Sequence, residues 1–292
     1  MVSVKSVVSR SKRQNFIQRL GFAGMTLAAM VTVIPIILIV ILIFWQGAPA
    51  ISWEFLSGFP REGMRAGGIL PAIVGTFWLT LGTGVIAVPL GIGAAIYLAE
   101  YSPDSPWTRI IRIAIINLAG IPSVVYGLFG LGLFVLFMRF GTSILAGSLT
   151  LAIMTLPVII STTEEALRAV PNSFRVVSIS LGGTQWQTIR RIVLPQALPG
   201  ILTGVILGLE RAAGETAPIL FTVAAFFLPQ LPSSVFDGTM ALPYHLFVIS
   251  TQVPGMPLRL QYGTAVVLLT FVLGMNIIAT ILRSRARARR QW

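Results

Sequence analysis

Residues 197–225, ALPGILTGVILGLERAAGETAPILFTVAA, decide the class of this protein. The run is long and apolar enough to cross a bilayer as one helix, which takes about 20 residues, yet it carries Glu210, Arg211 and Glu215 near its middle. At about 1.5 Å per residue, Arg211 lies on the order of 18 Å beyond Pro199, close to mid-membrane. An ionised side chain at that depth costs at least about 2.5–3.5 kcal/mol, so it must face protein or water rather than lipid. On a helical wheel Gly200, Gly204, Gly208 and Ala212 share one side, and Arg211 and Glu215 project from the same arc. Glycines spaced by four let a neighbouring helix approach closely, and charges four residues apart can touch. The pair therefore points into a helix bundle. It is either a structural ion pair that fixes helix register or a station on a solute path, and we read it as the second. Glu210 falls on roughly the opposite side, where the sequence names no partner.

Composition supports an all-α polytopic membrane protein. The 292 residues are 55% hydrophobic and only 10% charged, with a mean hydropathy of +0.87, whereas soluble domains run near 25% charged. The net charge of +12 does not mark a nucleic-acid binder, because the arginines flank apolar runs and no basic stretch is interleaved with exposed aromatics. The absence of cysteine excludes disulfides, thiolate metal sites and thiol catalysis. His245 stands alone, so no multi-histidine metal site exists; we read it as an ordinary loop or interfacial residue. The only lysines, Lys5 and Lys12, lie in the N-terminal stretch, so no glycine-rich loop ends in Gly-Lys-Ser/Thr and ATP has no site in this chain. GLFGLG at 127–132 matches a dinucleotide fingerprint in form, but it lies in an apolar run and reads as helix packing.

Six transmembrane helices are expected. The first, about Phe22 to Trp45, is too long for a signal-peptide core of about 7–15 residues and is taken as retained. Residues 46–67 form a loop, followed by spans at about Ile69–Leu98, Leu118–Met138 and Ile144–Ser161. A polar segment, 162–196, precedes the fifth span, which is the stretch quoted above. Residues 226–262 are rich in turn residues, with an apolar piece near Ala241–Ser250 that we place along the interface, and the sixth span is about Thr264–Leu282. The domain plan is thus a basic N-terminus (1–21), a first helix and loop (22–67), a core (68–282) and a basic tail (283–292). An even number of spans leaves both termini on one side with 162–196, and that side carries sixteen of the lysines and arginines against four on the other. By the positive-inside rule it is the cytoplasmic side.

The polar segment holds the second motif. SFRVVSISLGGTQWQTIRRIVLPQALPG (173–200) reads as a helix, a glycine break at Gly182–Gly183 and a second amphipathic helix that stops at Leu194–Pro195. Thr184 or Gly183 can cap its start. Trp186, Ile189 and Val193 recur at helical spacing opposite Arg190 and Arg191. The pattern fits a linker helix lying on a surface, or a short helix that docks into another protein. The spacing from Gly182 to Ile192 and Leu194–Pro195 resembles the cytoplasmic coupling loop of ABC importer permeases, although Val176, Val177 and Ser178 stand where that family has Glu-Ala-Ala. Five further stretches, AIVGTFWLTL, PLGIGAAIYLAEY, IPSVVYGLFGL, LPVIISTTEEALRAVP and RAAGETAPILFT, resemble in order the PstA-type permease family of phosphate importers across most of 68–225.

That resemblance implies a type I ABC importer permease architecture in a bacterial inner membrane. It implies a PstC-type permease as heterodimer partner, two copies of a nucleotide-binding ATPase subunit that binds the ATP, and an external phosphate-binding protein. Inorganic phosphate is the implied solute, with membrane lipid around the chain and no enzyme activity of its own. Arg211 suits the solute because a guanidinium fork holds two phosphate oxygens, while Glu215 can accept the remaining P–OH proton and keep binding weak enough for release. Gly182, Gly183, Ile192, Leu194 and Pro195 would form the coupling loop. Glu164 and Glu165 are expected to pair with nearby arginines. Another oxyanion, sulfate or molybdate, is the alternative solute. A secondary transporter would need internal repeats, and none is clear.

Overall fold

The computed structural model describes residues 4–103 and 105–288, with side chains for all of these but 4–17, 282 and 286–288. Most of the N-terminal basic residues and the end of the basic tail, Arg289 and Arg290, therefore lie outside the described side chains. Among the described residues, five helices are long and apolar enough to cross a membrane, and a sixth span forms if one bent pair counts as one.

The first helix, α1 (Val4–Gly47), spans with its side chains exposed and meets the bundle near its end, where Gly47 lies against Tyr262 and Val266 of the last helix. A short helix α2 (Trp53–Ser57), started by a Ser52 hydroxyl that accepts from Phe55 N–H, and a two-stranded hairpin, β1 (Pro60–Arg61) with β2 (Ala66–Gly67), fill the connection to the core. The second span, α3 (Leu70–Ile96), runs on through a π-helical turn, Tyr97–Tyr101.

The third span differs from its expected form. Instead of one helix over Leu118–Met138, α4 (Pro106–Ala119) and α5 (Ser123–Gly130, continued by a π-turn to Phe137) meet at 100°. The break falls on Gly120, Ile121 and Pro122. Proline disfavours helix in the residue before it and removes a donor from the ladder, so Ile121 cannot carry the helix through. Next comes α6 (Ile144–Arg168), capped by Ser143, which runs about two turns beyond Ser161 and takes the charged 162–168 into the helix. Two short helices, α7 (Asn172–Ser180) and α8 (Gln185–Thr188), follow.

The expected stop at Leu194–Pro195 is not a stop. A π-turn, Ile189–Val193, links α8 directly to α9 (Leu194–Gly214), giving one apolar run over Gln185–Gly214. A π-turn widens the helix by one residue and lets it absorb a proline without breaking. The helix ends instead inside the stretch expected to be one span: Glu215 is extended (φ −75°, ψ 138°) and α10 (Ala217–Thr222) starts afresh. Pro218 is the cause. It has no N–H for the Gly214 carbonyl, and its ring would clash with that carbonyl in a continuous helix. The chain closes with α11 (Leu242–Thr251) and α12 (Leu258–Ala288).

The centre of the bundle is α6, packed between α3 and α9. The glycine side of α9 faces α6 as the wheel requires: a Cβ on Gly200 would strike Ala166, one on Gly204 would strike Thr162, and one on Gly208 would lie 3.0 Å from Ile159. Gly127 and Gly130, from the false dinucleotide match, press α5 onto α10 and α6. The apolar piece near Ala241–Ser250 is not interfacial. Leu242, Val248 and Ile249 of α11 are completely buried with Leu79, Ile219 and Val223 in the main core. A second core, around Leu98, Leu167, Val193 and Ile201, closes the end that carries α7 and α8.

Candidate functional site

Arg211 occupies the last turn of α9, and Glu215 is the extended residue that caps it. The pair still meets, with Arg211 Nε 3.4 Å from Glu215 Oε1. Its basis is therefore a helix end rather than two positions on one helix face. A helix C-terminus leaves carbonyls unpaired and carries partial negative charge, which favours a cation in the last turn. The pair is also deep. Gly208, one turn before Arg211, lies against Thr155 at the midpoint of α6, and Leu209 lies against Gly84 near the middle of α3. The charge thus sits at mid-bundle although its own helix stops there.

The Arg211 side chain is 35% exposed and that of Glu215 18%. Among the described residues Glu215 is the only hydrogen-bond partner of Arg211, and the bond uses Nε. Both Nη groups remain open to a ligand, and a guanidinium fork of that kind grips two oxygens of a tetrahedral anion. Tyr126 of α5 lies within electrostatic reach of Arg211. Its buried hydroxyl donates to the Leu118 carbonyl at 2.7 Å, across the α4–α5 break. The residue was within the IPSVVYGLFGL stretch, but its role required the bend. The one signal in the sequence is a tyrosine in an apolar span, whose hydroxyl must find a partner. Glu210 points away, toward Asn276 of α12, and among the described residues its buried Oε1 meets no hydrogen-bond donor.

A second site lies at the α7–α8 end. The break between the two helices holds Gly182 at φ +84°, a left-handed conformation that glycine adopts without strain. Of the two expected caps, Thr184 is the one used: its hydroxyl accepts from Gln187 N–H at 3.2 Å, and the Gln187 side chain accepts from Thr184 N–H at 3.0 Å. Ile189 and Val193 are buried and Arg190 and Arg191 exposed, as their spacing requires, but Trp186 is exposed. Val176, Val177, Ile179 and Leu181 are exposed with it. Five large apolar side chains thus stand in the open on a polar connection, the composition that marks interaction surfaces. Ile192 is half-buried beside it; Leu194 and Pro195 belong to α9.

Glu164 pairs as expected, with Arg112 of α4 at 2.8 Å and Arg168 at 3.0 Å, while Glu165 is exposed. His245 corrects its reading. It is buried in α11, and burial pushes its imidazole down to about 4, so it is neutral at pH 7. Among the described residues no three of His, Cys, Asp and Glu converge to hold a metal.

Residues 87–289 match the family model described as "Binding-protein-dependent transport system inner membrane component". The chain is 33% identical over 291 residues to the phosphate transport system permease protein PstA of Mycobacterium leprae, covering 99% of this chain and 94% of that one. It is 38% identical over 242 residues to PstA of Pasteurella multocida, covering 81% and 83%. Among solved structures, a bacterial ABC transporter involved in import of the acidic polysaccharide alginate superposes with a TM-score of 0.68 at 14% identity, covering 94% of this chain and 99% of that one. The architecture is that of a type I ABC importer permease.

Proposed function

The chain belongs to the family of binding-protein-dependent transport system inner membrane components, and from that premise we propose that it is the permease subunit of an ATP-driven importer of inorganic phosphate. A permease of this family works with an ATPase and a binding protein. The PstA relatives, by name permeases of phosphate transport systems, support phosphate as the solute; the assembly we propose around this chain adds a PstC-type permease as the other half of the path, two ATPase copies and an external phosphate-binding protein. The charge count supports a bacterial inner-membrane placement with α7, α8 and both termini cytoplasmic. Residues 1–21 and 283–292 are then its basic flanks, 22–67 the first helix with an external loop, and 68–282 the core.

One observation carries the solute reading. Arg211 sits at mid-bundle, its Nε engaged by Glu215 and both Nη groups open. Phosphate at neutral pH carries one to two negative charges and keeps a proton, so an arginine fork with a carboxylate beside it matches both features. At an effective dielectric of about 20, a unit charge 4 Å away is worth about 4 kcal/mol. With half of that screened by water, loss of the cation should slow uptake on the order of 30-fold.

The test is uptake of labelled inorganic phosphate by vesicles holding the whole importer, with Arg211→Ala and Glu215→Gln. Both variants should insert normally, Arg211→Ala should slow transport on the order of 30-fold, and Glu215→Gln should change the rate as well. Unchanged uptake in both would leave the pair a register-fixing ion pair. Stronger competition by sulfate or molybdate than by phosphate would reassign the solute.

A further inference from the structure

Helices α6 and α9 are tied to the α7–α8 connection by the chain itself, but α3 is remote in sequence and has no covalent link to it. What joins the side chains of α3 to α7 is a buried ion pair, beside one hydrogen bond from α8 and the packing of Phe174. Glu100, in the π-turn that ends α3, receives Arg175 of α7 on both oxygens, Nη2 to Oε1 at 2.6 Å and Nε to Oε2 at 3.1 Å. The same guanidinium donates from Nη1 to the Val170 carbonyl at 2.8 Å and from Nη2 to the Leu167 carbonyl at 2.9 Å, at the end of α6. Gln185, which begins α8, donates to the Glu100 backbone carbonyl at 2.7 Å. Four elements thus meet at the Glu100–Arg175 pair: α3 and α7 through its two side chains, α6 through carbonyls that accept from Arg175, and α8 through the Glu100 backbone carbonyl.

Two features make this more than a surface contact. The Glu100 side chain is 6% exposed and that of Arg175 19%, so water competes little for a two-pronged bond. Moreover, α7 buries no side chain completely, and its apolar hold is the half-buried Phe174 against the Leu98 cluster. The ion pair is therefore the directional grip of α7 on α3. At its other half α3 lines the Arg211 turn, with Gly84 against Leu209.

We propose that the Glu100–Arg175 pair is a coupling joint, which passes displacement of the α7–α8 connection to α3 and so to the Arg211 turn. The proposal rests on the reading of that connection as the dock for the ATPase. Glu100 and Arg175 are positioning residues: they touch neither solute nor nucleotide. When the ATPase shifts α7, the backbone carries α6 and α9 along. Without the pair, α3 does not follow, and hydrolysis proceeds without moving the path.

The experiment uses the complete importer in vesicles with inorganic phosphate as the probe, comparing Glu100→Gln and Arg175→Lys with the unaltered chain. Three quantities are read: copurification of the ATPase, ATP hydrolysis, and phosphate imported per ATP. Copurification and hydrolysis should persist, while phosphate per ATP falls between about 2- and 30-fold, the range of energetic coupling between packed elements. Because the chain has no cysteine, an E100C/R175C variant bridged by a short thiol cross-linker should recover coupling and lose it again on cleavage. An unchanged ratio in both single variants overturns the proposal, as does loss of the ATPase from the complex, which would make the pair a mere support of the loop fold. Failure of the underlying reading shows differently: Leu181→Glu, on the exposed apolar surface, would then retain the ATPase.

Discussion

Replacing Gly204 by alanine should weaken the bundle even though alanine is the better helix former. On the helix alone the change is favourable by about 1 kcal/mol. The seam reverses the sign. A Cβ at position 204 would collide with Thr162 Oγ1 and lie 2.8 Å from Thr162 Cβ. The hydroxyl cannot swing away freely, because it donates to the Val158 carbonyl at 2.6 Å, and Cβ cannot move without its backbone. Restoring carbon–carbon contact of about 3.5 Å requires α6 and α9 to part by about 0.7 Å, and a gap of that size forfeits a quarter to a half of each dispersion well along the seam. Overpacking of this kind costs about 1–3 kcal/mol. Gly93 of α3 is the control, since a Cβ there meets nothing within 4 Å, and Gly93→Ala should be neutral or stabilising. Thermal unfolding of the purified complex, followed for both variants, decides the matter. Gly204→Ala as stable as Gly93→Ala would refute the close α6–α9 seam and with it the placement of Arg211 against mid-bundle.

Gly182→Val meets open space but a φ of +84°, so it should insert normally, strain the break by about 1–2 kcal/mol and lower phosphate uptake per ATP hydrolysed. Pro218→Ala removes the block that ends α9; relief of a penalty of about 3 kcal/mol should let the helix run through Glu215, leaving thermal stability equal or higher while uptake falls. Burial holds His245 neutral, with its titration moved from 6.5 to about 4. Stability should therefore decline as pH falls from about 6.5 toward 4, by about 3 kcal/mol in all, and His245→Gln should flatten that slope in a pH series of unfolding midpoints.

Features governed by local spacing were legible before any coordinates. The Gly200–Ala212 stripe follows from helical periodicity and the break at Gly182 from one residue's backbone freedom, whereas the Arg211–Glu215 contact, expected from a shared helix face, is made at a helix end. Errors came where a proline had two possible effects. Pro195 has the pattern of a terminator, yet the π-turn before it absorbs the defect; Pro218 sits inside an apolar run with no turn residues after it, yet it ends α9. The same ambiguity hid the bend at Pro122. Burial of α11 was hidden for another reason: its apolar content suits an interface as well as a core, and only α3 and α12 packing against it distinguish the two. Glu100 and Arg175 are 75 positions apart, and no pattern in either neighbourhood points to the other.

The errors at the prolines also explain how the chain tolerates a charge at mid-depth. An arginine in the middle of an unbroken helix would have to find its partners among side chains alone, since every backbone carbonyl nearby is already paired. Breaking the helix at Gly214–Thr216 changes that: the last carbonyls of α9 are released beside Arg211, and Glu215 swings out of the helical path to meet its Nε. The bend at Pro122 lies alongside, because Gly127 packs on Ala217 and Pro218 just past the break. Two neighbouring elements therefore both interrupt their ladders. Irregular backbone at such depth is tolerated only where it is buried in protein or lines a watered cavity, and a guanidinium with both Nη groups open favours the cavity. The glycine seam holds α9 against α6, the proline stops it there, and the arginine is left at the break with only its Nε engaged.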